Sequence, residues 1–479
     1  MIKVFLGIDV GTTKLKLTLM NREGEIIWKD STNIHPIFGK NGEVEINPYD
    51  WIDALKKLSR NFDLSNVEAI GLSGQMHSLI LIDKSGEPVR KAILWSDGRG
   101  KEIQAELEES YGREILERCG SFPFLSFTLV KLIYLLRNEK SSVERACKFC
   151  LSKDFVGGWL TSNYNTEKTD ASATLMMDID RCEWCVNEIL GGEIPDRIFP
   201  EIHDSMEVRG YLRKEAAEEL RLPAGIPVIY GAGDQEAAAY GVGVIHPGRI
   251  MFSLSTGSQI FTPVEERIVD ERIHNFRHIE GIHIMGAVQN CGFSLNWAMK
   301  TFGFRDFEEL NENAVNSSPG SNGVTFLPYI IPERTPIMSS DVSGNLLNFK
   351  VGNTRYDIAR ALIEGTVFTA LDAWKVIQEF SMSSDERKHD VVILGGVARN
   401  SIVREILSSF IKGRLKFVRE DFDSSSYGAA LMAARAMGYL EGVEPYEKFL
   451  ERTIESVGSE EYLECFERFI NLRKKMFGI

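Results

Sequence analysis

Two short stretches place carboxylates where phosphoryl or hydroxyl chemistry could use them. In GIDVGTTKLKL, an apolar run ends on Asp9 and turns through Gly11, Thr12 and Thr13. Small and hydroxyl residues let a backbone approach a phosphate, and successive turn amides can cradle it. Asp9 beside such a turn could hold magnesium, directly or through water. The same residues also make a plain hairpin turn with an Asp cap, and the stretch alone leaves both readings open. In YGAGDQEAAAYG, Asp234 follows Gly231 and Gly233 at a strand end. There a carboxylate can accept a hydroxyl proton or cap the following helix, and the two roles are compatible.

Two further stretches offer groups for a polyhydroxylated ligand. LSGQMHSLILID sets Gln75, Met76 and His77 between two apolar runs. Gln and His hydrogen-bond hydroxyls, and Met supplies an apolar wall; a turn histidine satisfied by its own surroundings is the competing reading. LWSDGR presents Trp95 and Asp97 at a strand-to-helix junction, where Trp95 also reads as core and Asp97 as a helix cap. STGS, Ser255–Ser258, is a second phosphate-loop pattern, weak alone because such clusters are usually turns. LGGVARN, Leu394–Asn400, is a glycine pair between strand and helix. It suits either an adenosine lying on the backbone or tight strand–helix packing.

The elements that must position these groups read as α/β. Val4–Asp9, Leu15–Met20 and Glu25–Lys29 are expected strands, as are VEAIGLS, SLILID and Val228–Tyr230. NPYDWIDALKKLSRNF predicts a helix with Asn47 as cap and Pro48 at its first position. DGRGKEIQAELEESYG predicts a helix ending at Gly112, and SFTLVKLIYLLRNE another. The pattern restarts at RIMFSLSTGSQIFTPV, Arg249–Val264, which repeats the opening strand–turn–strand. A long helix over RYDIARALIEGTVFTALDAWKVIQEF, a strand–glycine–helix over HDVVILGGVARNSIVREIL and a late small-residue helix near Gly438 follow. This is a duplication at domain scale. Strand ends deliver small or acidic residues to one sheet edge, where α/β proteins collect ligands. Two such edges facing each other would form a cleft.

Composition limits the alternatives. A chain of 479 residues exceeds one core and suggests several domains. With 43% apolar and 26% charged residues it reads as globular. It has no apolar run of membrane-spanning length, and its start lacks a signal peptide's features, so a cytoplasmic location is expected. A formal net charge of −14 argues against nucleic-acid or anionic-membrane partners, but not against ATP held by backbone amides and a metal. Cys147-x-x-Cys150 and Cys182-x-x-Cys185 have a zinc-ribbon outline. A strand at RACKFCLS would point its two cysteines to opposite faces, so free thiols are expected.

Together the motifs resemble the FGGY carbohydrate kinases of the actin-like, ribonuclease-H-like ATPase superfamily. GIDVGTT resembles that family's first phosphate segment, STG its second, GGVARN its adenosine segment and GAGDQ the segment with its catalytic aspartate. GQMHSLILID, AILWSDGRG, FLPYIIPERTP and GAVQNCGFSLNWAMK look most like the xylulose kinases within it. Ser78 stands where glycine usually follows Met-His, and Ser255-Thr256-Gly257-Ser258 where Gly-Thr-Ser-Gly is common.

The resemblance implies two actin-like domains with a cleft between them, over residues 1–244 (mainly sugar) and 245–479 (mainly ATP). It implies Asp234 as catalytic base, and Asp9 with Asp234 at Mg2+. Gln75, Met76, His77, Trp95, Asp97, Asp234 and Gln235 would meet the sugar. Gly11, Thr12, Thr13, Lys14, Ser255, Thr256, Gly257, Gly395, Gly396, Arg399 and Asn400 would meet ATP. The implied reaction is transfer to O5 of D-xylulose, with another ketose, a polyol or a sugar acid such as gluconate as the alternative substrate. A nucleotide-dependent regulatory protein is the alternative of another class. A homodimer, common among related kinases, is part of the same expectation.

Overall fold

A computed structural model describes residues 3–339, 341–381, 390–442, 444–456 and 460–478. The chain forms two compact units. The first is Met1–Ile245 with Asn275–Ile282 and Phe422–Lys448; the second is His246–His274 with His283–Asp421 and Phe449–Ile479.

The first unit is built on a mixed sheet. Strand β1 (Val4–Val10) is buried along its whole length. It pairs antiparallel with β2 (Lys14–Asn21), which pairs with β3 (Ile26–Asn33). On its other side β1 runs parallel to β4 (Val67–Gly74). The order continues through Pro227–Ile229 to Val208–Tyr211; in chain order these are β5 (Val208–Tyr211) and β6 (Pro227–Ile229). Apolar side chains of β1, β2 and β4 meet helix α1 (Tyr49–Leu58), whose Trp51, Ile52 and Leu55 are buried in the same core. Pro48, not Asn47, is the N-cap of α1, so the helix starts one residue later than expected, and Asn47 Oδ1 accepts from the Tyr49 amide at 3.2 Å.

Helix α2 (Lys101–Cys119) runs through Gly112 instead of stopping there. A Cβ at Gly112 would sit 2.7 Å from the Phe122 ring, so this glycine serves packing. The stop is Gly120, in the left-handed conformation at φ 85°. Helices α3 (Thr128–Asn138) and α4 (Ser152–Thr161) follow, and α5 (Asp234–Gly241) comes directly after the Gly231–Gly233 turn.

The second unit repeats the plan. Strand β7 (Arg249–Leu254) turns antiparallel into β8 (Ser258–Val264). The order is β9 (Ile282–Val288), β8, β7, β10 (Asp390–Leu394), β11 (Arg414–Val418), β12 (Leu450–Glu455). Strand β7 runs parallel to β10 as β1 does to β4, β11 is parallel to β10, and β12 closes antiparallel. Helix α6 (Gly292–Thr301), the long α7 (Arg355–Ser381) and α8 (Ser401–Phe410) pack the second core.

The expected single cut after residue 244 gives way to a chain that re-enters the first unit. Helix α9 (Ser424–Ala436) lies on β1, β4 and α5. A Cβ at Gly7 would fall 1.9 Å from the Ser426 carbonyl oxygen, and one at Gly71 would fall 1.9 Å from that of Ala429. Only glycine lets helix and sheet backbones approach this closely.

All seven cysteines are free thiols. Cys185 lies with its Sγ 3.6 Å from that of Cys119, not beside Cys182. Among the described residues no cluster of three or more His, Cys, Asp or Glu side chains could hold a metal ion, and no helix is long and apolar enough to cross a membrane.

Candidate active site

Asp9 sits one residue before the end of β1, and both neighbouring strands present a partner to it. The parallel register sets Ser73 beside it, and the Ser73 hydroxyl donates to Asp9 Oδ1 at 2.9 Å. The antiparallel register sets Lys16 opposite, with Nζ 3.3 Å from Asp9 Oδ2. Lys16 also reaches Asp423 Oδ2 at 2.6 Å. Asp423 caps α9 through the Ser426 amide at 3.0 Å.

Burial raises the Asp9 carboxyl above its usual range, against the pull of Lys16. Burial alone would lower the Lys16 ammonium, yet the Asp9 and Asp423 carboxylates outweigh it and hold Lys16 charged. Lys16, Ser73 and Asp423 are absent from the motif reading above. Lys16 was findable, because a hairpin turning at Gly11–Thr13 puts it opposite Asp9. Asp423, hundreds of residues away, left no such signal.

Asp234 is the first residue of α5 and half-buried. Gly233, not Asp234, occupies the N-cap position. Removal from water and the nearby Asp9 charge push the Asp234 carboxyl up to about 7. A carboxylate so placed can exchange a proton with a hydroxyl near neutral pH. The turn beneath it is rigid: the Gly233 amide donates to Thr169 Oγ1 at 2.9 Å, and that hydroxyl donates to Glu167 Oε1 at 2.8 Å. Lys153, fully buried, lies 3.2 Å from Glu167, 3.0 Å from Asp170 and 2.9 Å from Asp154.

Two carbonyls of the Gly11–Thr13 turn are occupied. Trp51 Nε1 donates to Gly11 O at 3.2 Å, and the Ile34 amide donates to Thr13 O at 2.8 Å. Gln75 leaves β4 with its amide on Val10 O at 3.0 Å and its carbonyl accepting from Ser152 Oγ at 2.8 Å. The Thr12 hydroxyl donates to Gln75 Oε1 at 2.6 Å and accepts from Trp95 Nε1 at 3.0 Å. Met76 lies against the Gly231–Asp234 turn, since a Cβ at Gly233 would fall 2.9 Å from Met76 Cγ.

His77 adopts φ 65°, with Nδ1 2.6 Å from Ala173 O and its ring edge-on to Phe127 at 4.9 Å. Hydrogen bonds thus link Thr12, Gln75 and Trp95, and Met76 packs against the turn that precedes Asp234. Lys14 is exposed at the start of β2. Asp97 turns away. It is 2% exposed, and its oxygens accept from the Val44 amide at 2.8 Å, the Arg99 amide at 3.0 Å and the Arg99 guanidinium. It therefore braces a loop in place of offering a free sugar contact.

In the second unit the Ser255–Gly257 turn is tied to α6. The Gly292 amide donates to Ser255 O at 3.0 Å and the Phe293 amide to Thr256 O at 2.8 Å. Gly395, at φ 95°, crosses the same turn closely enough that a Cβ would fall 2.2 Å from Leu254 O. Gly396 begins a short 3-10 turn ending at Arg399. Asn400 caps α8 through the Ile402 amide at 2.9 Å, and Arg399 pairs with Glu420. The two glycine turns meet, while the Asn400 side-chain oxygen is engaged in its helix.

This duplicated fold, with an acid and a glycine turn at the edge of the first sheet, is that of a carbohydrate kinase. The chain belongs to the FGGY family of carbohydrate kinases: the family's N-terminal domain matches residues 4–241 and its C-terminal domain residues 254–437. It is 32% identical to a xylulose kinase of Lactococcus lactis over 92% of this chain and 90% of that one. It is 25% identical to a gluconokinase of Bacillus subtilis over 99% and 96%. In fold it matches a crystal structure of gluconate kinase from Lactobacillus acidophilus with a TM-score of 0.91, at 23% identity, covering 99% of this chain and 98% of that one. The protein is therefore a phosphotransferase, and family membership implies ATP as the donor.

Proposed function

We propose that the protein transfers the γ-phosphoryl group of ATP to the primary hydroxyl O5 of D-xylulose. The single observation that carries the site assignment is the contact of Met76 with the turn holding Asp234. It puts the Gln75–His77 segment beside a carboxylate that burial and the nearby Asp9 charge push up to about 7. The likeness to a xylulose kinase over most of both chains favours the ketose.

In this reading His77 and Gln75 orient the sugar and Met76 forms its apolar wall. Asp234 accepts the hydroxyl proton as O5 attacks in line. Phosphoryl transfer depends on positioning and charge neutralisation more than on covalent help. The Thr12 and Thr13 amides serve a phosphate, and Lys16 keeps the neighbouring acids balanced. Ser255–Gly257 and Gly395–Gly396 hold the nucleotide.

The acid pair fits a divalent cation: burial first and the nearby Asp9 charge second raise Asp234, and Mg2+ needs only one or two carboxylates besides phosphate and water. When bound by Asp9 and Asp234, Mg2+ would supply neutralisation of phosphate charge.

The testing experiment is an ADP-release assay with D-xylulose, other ketoses, polyols and D-gluconate. The expected result is the highest kcat/KM on D-xylulose. Gluconate is the second reading, favoured by the gluconokinase likeness over nearly the full chain. A higher kcat/KM on D-gluconate would replace the first.

A further inference from the structure

The Thr12 hydroxyl stands between a turn suited to phosphate and two side chains on the sugar side. It has one proton, and that proton is spent on Gln75 Oε1 at 2.6 Å. Trp95 Nε1 donates to the same oxygen at 3.0 Å. In this arrangement Thr12 has no proton left for an anion. Gln75 is 2% exposed, its backbone is fixed at both ends, and its Nε2 is buried without a hydrogen-bond partner among the described residues. A buried amide with a satisfied oxygen and an orphaned nitrogen is a costly half-state.

Rotating the Gln75 amide by half a turn exchanges the roles. Nε2 then donates to Thr12 Oγ1, which accepts from both Gln75 and Trp95. The Thr12 proton becomes available to a phosphate oxygen, and Gln75 Oε1 takes the buried place that Nε2 held, where it lacks a donor. No covalent bond changes and no proton is lost. Each ligand supplies what the rotated state lacks: phosphate takes the freed proton, and the sugar hydroxyl donates to the freed oxygen.

We propose that Thr12 and Gln75 are positioning residues forming a two-state hydrogen-bond switch, through which sugar and nucleotide phosphate each favour binding of the other. This rests on the substrate assignment above. Because both ligands bias one two-state element, the coupling is reciprocal.

The test is calorimetric titration of a non-hydrolysable ATP analogue with Mg2+, with and without the sugar that the ADP-release assay selects. Wild type is expected to bind the analogue at least about fivefold more tightly with sugar present. Thr12→Val, which cannot donate, and Gln75→Glu, whose two oxygens are equivalent, should each bind the ligands more weakly and lose that ratio. Thr12→Ser should restore it. Coupling that persists in both Thr12→Val and Gln75→Glu, or is absent from a wild type that phosphorylates the sugar, overturns the switch. A wild type that phosphorylates no sugar in the panel overturns the substrate assignment instead.

Discussion

Lys16 faces Asp9 across the β1–β2 ladder, its Nζ 3.3 Å from Asp9 Oδ2, while the same ammonium reaches Asp423 at 2.6 Å. One cation thus separates two acids and also lowers the proton affinity of Asp234. In Lys16→Met that influence is lost, so the Asp234 carboxyl rises further. The acid limb of the pH profile of kcat/KM should move to higher pH, with activity at pH 7 reduced by roughly tenfold or more. A limb that stays in place would remove Lys16 from this role.

Asp234 must be ionised to take a proton, and its carboxyl is pushed up to about 7. Wild-type kcat/KM without saturating Mg2+ should therefore fall as pH drops below about 7, not below about 4. In Asp234→Ala, turnover should fall by several orders of magnitude, about 10²–10⁴-fold from the general base alone. Sugar binding, followed by calorimetry, should be largely kept. Near-normal turnover in this variant contradicts the assignment.

The same carboxyl should tax the fold. Below about pH 4 it is protonated in both folded and unfolded chains, and nothing is lost. Between about pH 4 and 7 the folded chain retains a proton that the unfolded chain has released, so stability declines as pH rises. At about 1.4 kcal/mol per pH unit the cost reaches at most about 4 kcal/mol above pH 7. Metal-free Asp234→Asn should thus melt higher than wild type at pH 8 and level with it at pH 4. Equal melting temperatures at pH 8 would contradict the shift.

Asp9 holds the other carboxylate of the pair. In Asp9→Ala the Mg2+ concentration for half-maximal rate should rise at least about tenfold, and turnover should slow. An Mg2+ titration of initial rates that overlays wild type would place the cation elsewhere.

The sequence was most informative where chemistry and local geometry coincide. The GIDVGTT hairpin, its restart at Arg249 and the Gly231–Asp234 turn are visible because glycine, hydroxyl and acid residues punctuate apolar strands. Gly112 misled because glycine ends helices as readily as it admits a ring, and only Phe122 distinguishes the two. Asp97 misled likewise: an acid at a strand end looks available until Val44 and Arg99 are seen to occupy it. Asp423 was beyond reach because its partner Lys16 is 407 residues away, and no periodicity spans such a distance.

The seating of α9 against Gly7 and Gly71 has a consequence for biosynthesis. A nascent chain that has emerged only to Ile245 carries every strand of its first sheet but not the helix that roofs it. The bare glycine face stays open to water and to chaperones until residues near Ala436 leave the ribosome. The first unit is therefore completed only after most of the second has been translated, although its own sheet is translated first.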